Sequence, residues 1–372
     1  MTEKIGLYIH VPFCAQKCPY CDFYSLTDIS HIDQYTDAVI RLLRTCGEAN
    51  QLEADTLYFG GGTPNLLGAD RICKIIRTAK EQFRLEDAEI TVEVNPTSDL
   101  GAFFEVVAKS GVNRVSIGLQ SAHEDELKLL GRTHTPHQVE LAIKAARDAG
   151  INNISCDLML GLPHQTKERL KDSIAFCANF MVTHISAYLL KIEPETVFGR
   201  HESLLSLPDE DQVSDLYLYA VEELERQKYH QYEISNFARK DINGKLKYSH
   251  HNLKYWNCDP YLGLGPSAHS FLGGKRFHYD RDLSQFFIRP VPVFDSVGGD
   301  REEYVMLRLR LCEGLCAIDW QEKFQEPFPN VFLERAKEYE NAGLTKVIKG
   351  TICLTPRGFL VSNRLIATIL YG

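Results

Sequence analysis

Six times within the first 190 residues, a short run of aliphatic and aromatic residues is followed by a longer amphipathic stretch. The short runs are IGLYIHV (5–11), DTLYFG (55–60), EITVEV (89–94), NRVSIGL (113–119), NISCDLML (153–160) and HISAYLL (184–190). Each stops at glycine, proline or a polar turn and reads as a strand. Helical patterns occupy the gaps, at 31–48, 69–83, 99–109, 124–130 with 136–149, and 166–181. Six successive βα units predict a parallel sheet with right-handed crossovers. An open doubly wound sheet and a partial TIM-type barrel both satisfy that count. Polar residues at the C-terminal ends of the strands favour the barrel, because barrel sites lie there. They are the cysteine loop after the first strand, GGGTP after the second, Glu93, Gln120 and Asp157.

Beyond residue 207 the pattern changes. PDEDQVSDLYLYAVEELERQK reads as one amphipathic helix opened by proline and acidic residues. A Tyr/His/Asn-rich stretch follows without a clean period, and RPVPVFDSVGGD (289–300) reads as a linker. The remainder predicts helices at 301–312, 318–325 and 330–342, strands at 344–348 and 351–354, and a helix at 356–370. The expected fold is therefore α/β: a six-unit (βα) partial barrel over 1–207, an α+β extension over 208–288, and a linker with a small winged-helix-like module over 289–372.

Forty-one basic against fifty acidic residues give a net charge of -9, which argues against a general nucleic-acid footprint. No apolar run approaches the ~18 residues of a membrane helix, and the N-terminus lacks a signal-peptide pattern. A cytoplasmic protein is expected.

The chain has eleven cysteines, an odd number at irregular spacing, which does not suit a disulfide framework. Eight of them (Cys46, Cys73, Cys156, Cys177, Cys258, Cys312, Cys316 and Cys353) read as small buried hydrophobes. Cys312 and Cys316 have no second pair nearby to complete a zinc site. The other three, Cys14, Cys18 and Cys21, are packed into CAQKCPYC. Structural zinc takes four closed ligands and an ordinary 4Fe-4S cluster takes four cysteines. Three thiolates leave one iron open, which S-adenosylmethionine can chelate through its amino and carboxylate groups. A reduced cluster can then cleave the sulfonium to give a 5′-deoxyadenosyl radical; the cofactor carries the chemistry and the loop positions it.

With that C-x3-C-x2-C loop following the first of six βα units, the chain resembles the radical S-adenosylmethionine superfamily. The resemblance implies a 4Fe-4S cluster on Cys14, Cys18 and Cys21. It assigns Gly61, Gly62 and Thr63 to the methionine end of the cofactor, Tyr20 to packing beside the nucleoside, and Glu93, Gln120, Arg132 and Asp157 to ribose and carboxylate contacts. Carboxylates and amides suit ribose hydroxyls, and a guanidinium suits a carboxylate.

GLYIHVPFCAQKCPYCDFYS, DTLYFGGGTPNLL, ITVEVNPTS, RVSIGLQS, LGRTHT, DLMLGLPHQT, HHNLKYW and GLGPSAHS narrow the resemblance, over essentially the whole chain, to the coproporphyrinogen dehydrogenase-like subgroup. Tyr8 matches that subgroup's cofactor-contacting tyrosine. The dehydrogenases themselves carry a longer arm before this tyrosine and a fourth cysteine two positions after the third. Here only seven residues precede Tyr8, and Phe23 stands at the second position. Both departures point to the haem-chaperone branch, which shares the H-N-x-x-Y-W motif present as His251, Asn252, Tyr255 and Trp256.

An imidazole suits haem iron and aromatic rings suit a flat macrocycle. The same six residues also read as a core anchor, with Trp256 buried and His251 bonded to backbone. In an extended segment His250 and His251 point to opposite sides, and the family motif selects His251. The resemblance thus implies a protein that holds haem as cargo and delivers it to apo-haemoproteins, respiratory ones among them. It would need an electron donor if radical chemistry occurs, and would meet a membrane only through its acceptor. The alternative readings are oxygen-independent coproporphyrinogen III decarboxylation and another radical reaction such as methyl transfer.

Overall fold

The six runs form strands within one residue of their expected bounds. They are β1 (Ile5–Val11), β2 (Ala54–Gly61), β3 (Glu89–Val94), β4 (Arg114–Gln120), β5 (Asn153–Leu160) and β6 (His184–Leu189). The computed structural model describes residues 4–50, 52–96 and 99–372; the last two residues of the ITVEVNPTS motif lie outside these. Strands β1 to β6 pair in sequence order and all in parallel.

Alternate residues go to opposite faces of the sheet. One face is apolar: Leu7, Ile9, Phe59, Val92, Val115, Ile117, Ile154 and Ile185 are fully or almost fully buried in one core with Ile72, Ile76, Phe104, Ile143 and Ile174 of the covering helices. Each such side chain contributes roughly 1.5–3 kcal/mol by leaving water. The other face carries Tyr8 and His10, Tyr58, Glu93, Arg114 and Ser116, Asp157, and His184 and Tyr188. Tyr188 on β6 acts electrostatically on Tyr58 on β2. Four strands of a flat sheet would part them by about 19 Å, at ~4.8 Å per strand. The sheet therefore curves, and the polar face is its concave side.

The extension continues the same sheet at both edges. On one side β8 (Asn236–Ala238) pairs antiparallel with β6, and β7 (His230–Gln231) pairs with β8. On the other, β9 (Tyr261–Leu264) runs parallel to β1, followed by antiparallel β10 (His269–Leu272), β11 (Lys275–His278) and β12 (Val293–Val297). The twelve strands run from β12 to β7, so the barrel stays open. The segment expected to be a linker thus supplies an edge strand. Its prolines lie ahead of β12, where no ladder hydrogen bond is lost.

The C-terminal part holds helices Arg301–Arg308, Ala317–Phe324 and Asn330–Lys337 and a three-stranded antiparallel sheet. The expected hairpin, β14 (Thr345–Ile348) and β15 (Thr351–Leu354), is joined by β13 (Leu315–Cys316). The last expected helix breaks at Val361 into Pro356–Leu360 and Ser362–Tyr371. Trp320 is fully buried in this module's core. Among the described residues no helix is long and apolar enough to cross a membrane.

The segment HHNLKYW, which shows no clean period in the sequence, is not extended but the helix His250–Trp256. It closes the barrel at the N-terminal ends of the strands. Lys254 Nζ donates to Lys4 O and pairs with Asp55, each at 2.9 Å. The Glu89 carboxylate accepts from the backbone N–H groups of His250 (3.2 Å) and His251 (3.1 Å), two donors that a helix start leaves unpaired. Glu89→Ala is expected to lower stability by about 1–2 kcal/mol, the usual scale for a lost helix cap. Urea unfolding monitored by circular dichroism checks this, with the m-value unchanged.

Candidate functional site

The cysteine loop stands at the opposite, C-terminal end. It is closed at its base by Cys14 N–H to Leu26 O (2.9 Å) and Leu26 N–H to Pro12 O (2.7 Å), and it turns through Cys21 N–H to Cys18 O (3.1 Å). The glycine run after β2 fastens it to the sheet: Gly62 N–H donates to Val11 O (2.8 Å) and Thr63 N–H to Phe13 O (2.7 Å). A Cβ at Gly62 would lie 2.5 Å from Phe13 O and 3.0 Å from Cys14 Sγ, so only glycine allows this approach. Thr63 Oγ1 lies 3.6 Å from Cys14 Sγ. None of the eleven cysteines forms a disulfide. Burial pushes the Cys21 thiol up, and the neighbouring Cys18 and Cys14 sulfurs add to the rise. Three sulfurs on one short loop suit an iron cluster, which binds them as thiolates.

Arg132 reaches the loop from behind α-helical turns after β4. Its Nη1 is 3.7 Å from Cys18 Sγ and its Nη2 donates to Gly118 O at 3.2 Å. Its Nε is buried without a partner, an orphaned donor of the kind that a ligand carboxylate satisfies. Gln120 ends β4 with φ +67°, a left-handed conformation costly for a non-glycine residue and common at ligand sites. Tyr20 packs on Phe198, ring centroids 6.3 Å apart.

Glu93 and Asp157 stand deeper on the concave face. Tyr58 donates to Glu93 Oε1 at 2.8 Å, and burial, then the nearby Asp157, raises the Glu93 carboxyl to about 7. Ser116 donates to Asp157 Oδ1 at 3.1 Å, and burial raises that carboxyl as well. Gly61 has φ +102°, and a Cβ there would strike the His10 ring at 2.6 Å. His10 Nε2 donates to Tyr24 O (2.9 Å), which leaves Nδ1 to accept from the Tyr8 hydroxyl (3.1 Å). Burial lowers His10 to about 4 and keeps it neutral. The structure therefore brings Tyr20, Gly61, Gly62, Thr63, Gln120 and Arg132 to one end of the sheet, with Tyr8, Glu93 and Asp157 deeper on its concave face. A three-thiol loop, a ligand-free guanidinium nitrogen and paired carboxyls fit a cluster with S-adenosylmethionine: when bound, that pair supplies a radical for hydrogen abstraction.

His251 lies elsewhere. It is buried in the barrel floor, stacked on Tyr58 with centroids 5.1 Å apart. Its Nδ1 is 2.8 Å from Thr56 Oγ1 and its Nε2 is 2.8 Å from Tyr255 Oη, so both nitrogens are engaged. Burial, then Lys254 and Arg114, lowers it to about 3. His250 is exposed, and Asn252, Tyr255 and Trp256 are half-buried. The core-anchor reading thus holds for burial of the histidine, whose ring bonds side chains and not backbone, and fails for the tryptophan.

Sequence reading missed His10, Tyr58, Arg114, His184 and Tyr232. His184 bridges Ser155 Oγ (2.7 Å) and Tyr232 Oη (2.8 Å) beside the buried Arg114. The signal was the alternation in RVSIG, SCDLM and HISAY, which puts polar residues on one face of strands that a doubly wound sheet would bury on both. Of the eight scattered cysteines, only Cys156, Cys177 and Cys258 are fully buried; the other five are half-buried.

This fold and loop define a protein of the radical S-adenosylmethionine class. A profile of the Radical SAM superfamily matches residues 8–177, and one of the HemN C-terminal domain matches residues 300–361. "Heme chaperone HemW" of Bacillus subtilis (strain 168) is 32% identical over 98% of this chain and 98% of its own length. The protein of that name from Lactococcus lactis subsp. lactis is 32% identical over 100% and 98%, and that from Mycobacterium tuberculosis (strain H37Rv) is 31% identical over 99% and 95%. The solved structure of coproporphyrinogen III oxidase (HemN) from Escherichia coli superposes with a TM-score of 0.83 at 21% identity, covering 99% of this chain and 90% of that one, which shows a shared fold. The chain belongs to the HemW family of the radical SAM superfamily.

Two expectations follow. Anaerobic reconstitution should load about four irons per chain. Replacing Cys14, Cys18 and Cys21 together with serine should abolish the cluster spectrum, whereas replacing Cys312 and Cys316 should leave it; iron assay and visible absorption read both. Glu93 gives a pH signature without added cofactor. Its folded pKa of about 7 lies above the ordinary 4.5, so the folded state holds the proton more tightly. Stability contributed below pH 4.5 is then lost as pH rises through 7. Glu93→Gln should flatten the melting-temperature profile between pH 4.5 and 7.

Proposed function

We propose that this chain is a cytoplasmic haem chaperone. It carries a 4Fe-4S cluster on Cys14, Cys18 and Cys21 with S-adenosylmethionine beside it, binds haem, and delivers it to apo-haemoproteins such as respiratory enzymes. The observation that carries this reading is likeness along 98% of the chain to relatives named as heme chaperones. Phe23 supports it: the side chain two positions after Cys21 is 63% exposed and offers no thiol. An electron donor is needed only if radical chemistry accompanies delivery.

Haem contact through the His250–Trp256 helix belongs to the proposal. The surface that this helix offers is His250, Asn252 and Trp256. His251 reaches iron when its bonds to Thr56 and Tyr255 open, which couples haem ligation to movement of the barrel floor.

Haem titration of the reconstituted protein tests the reading. The parent should bind haem, and His251→Ala should weaken or slow binding while cluster iron is retained. His251→Ala also removes two buried hydrogen bonds, at about 1–3 kcal/mol. Affinities are therefore compared at matched folded fraction, with His250→Ala in parallel. Coproporphyrinogen III should not be decarboxylated. Unchanged affinity in folded His251→Ala would move the contact elsewhere. No haem binding by the parent, or cluster-dependent decarboxylation, would overturn the chaperone reading.

A further inference from the structure

At the cofactor end of the β9–β12 edge, three strands bring two imidazoles and a carboxylate together. His269 opens β10 and His278 closes β11; they are direct partners in the ladder, with ring centroids 5.1 Å apart. Asp295 on β12 falls where the register with β11 shifts: Arg276 faces Ser296 and Phe277 faces Phe294. It is the extra residue of a bulge, a device that re-aims a side chain. Here it turns the carboxylate onto both histidines, with Oδ1 2.6 Å from His278 Nδ1 and Oδ2 3.6 Å from His269 Nδ1. One ligand atom from each of the three residues lies within 4.8 Å of the others, and among the described residues this is the group of three that does so.

The group faces the same side as the cofactor residues. Gly263 on β9 opposes Tyr8, Tyr261 opposes Phe271, and His269 stands two residues from Phe271. His269 also acts electrostatically on His10. It belongs to GLGPSAHS, a segment to which neither the cluster loop nor the haem helix gives a role.

We propose that His269, His278 and Asp295 form a binding site for a divalent transition-metal ion of the zinc class, separate from the cysteine loop. Metal–nitrogen bonds of about 2.0–2.1 Å and metal–oxygen bonds of about 2.0–2.2 Å put tetrahedral ligand atoms roughly 3.3 Å apart. The observed spacings bracket that value, so small side-chain rotations complete the set. Pairing with Asp295 turns both imidazoles toward one carboxylate, the convergence that a shared metal ion uses. Asp280 Oδ1 lies 3.8 Å from His278 Nε2, on the far side of the ring from Asp295. A carboxylate there orients a metal-bound imidazole through its free N–H. Three protein ligands leave a fourth position open to water or to an anionic group of a bound molecule.

Cobalt(II) titration of the full-length protein, anaerobically reconstituted so that iron and sulfide occupy the cysteine loop, tests this. The parent should take up one cobalt per chain with visible ligand-field bands and no thiolate charge-transfer band. Affinity should fall about tenfold or more in His278→Ala and in Asp295→Asn. Cluster iron should be unchanged, and zinc should raise the melting temperature of the parent only. Cobalt uptake by the parent equal to that of folded His269→Ala/His278→Ala, or bands of thiolate origin alone, would overturn the site.

Discussion

The whole arrangement depends on one-sided packing of the parallel strands. Their apolar residues are spent on the helix layer, where Leu7, Phe59, Val92, Ile117 and Ile185 share one core. That core fixes register, since a slip by one residue would turn every polar side chain outward. With stability drawn from the outer face, the concave face is free to carry Glu93, Asp157, Arg114 and His184, groups that a two-sided core would not tolerate.

The two ends of this face do different work. At the C-terminal end backbone donors of Gly62 and Thr63 hold the cysteine loop against β1, and polar atoms are left for ligands, Arg132 Nε among them. At the N-terminal end the ring nitrogens of His251 and His184 are matched inside the protein, although Arg114 Nε and Nη1 beside them are not. Tyr8 and Tyr58 form the layer between, touching His10 or Glu93 above and His251 below. A change in the floor therefore has a short mechanical route to the cofactor end.

The parallel strands and the cluster cysteines were legible in the sequence because their signals are local: a two-residue alternation, and three thiols within eight positions. The edge and the floor were not. A seven-residue helix is too short to display its period, so His250–Trp256 showed none. Pro290 and Pro292 before β12 and Gly298 and Gly299 after it made the five residues between them read as part of a linker. Thr56, which bonds His251, and Tyr232, which bonds His184, lie 195 and 48 residues away in sequence, and no local pattern announces such pairs. Burial separates His251 from Trp256 within HNLKYW, and burial is a property of the packed barrel rather than of the segment.

The floor helix also imposes an order on synthesis. Its contacts are with strands made some two hundred residues earlier, yet it leaves the ribosome well after β6. At ~5–20 residues per second, that interval is on the order of 3–12 s. Throughout it the barrel stands open at the bottom. The polar lining makes this wait harmless: water solvates Thr56, Glu89 and Arg114 until the helix arrives, where an apolar lining would have offered a sticky surface to every neighbouring nascent chain.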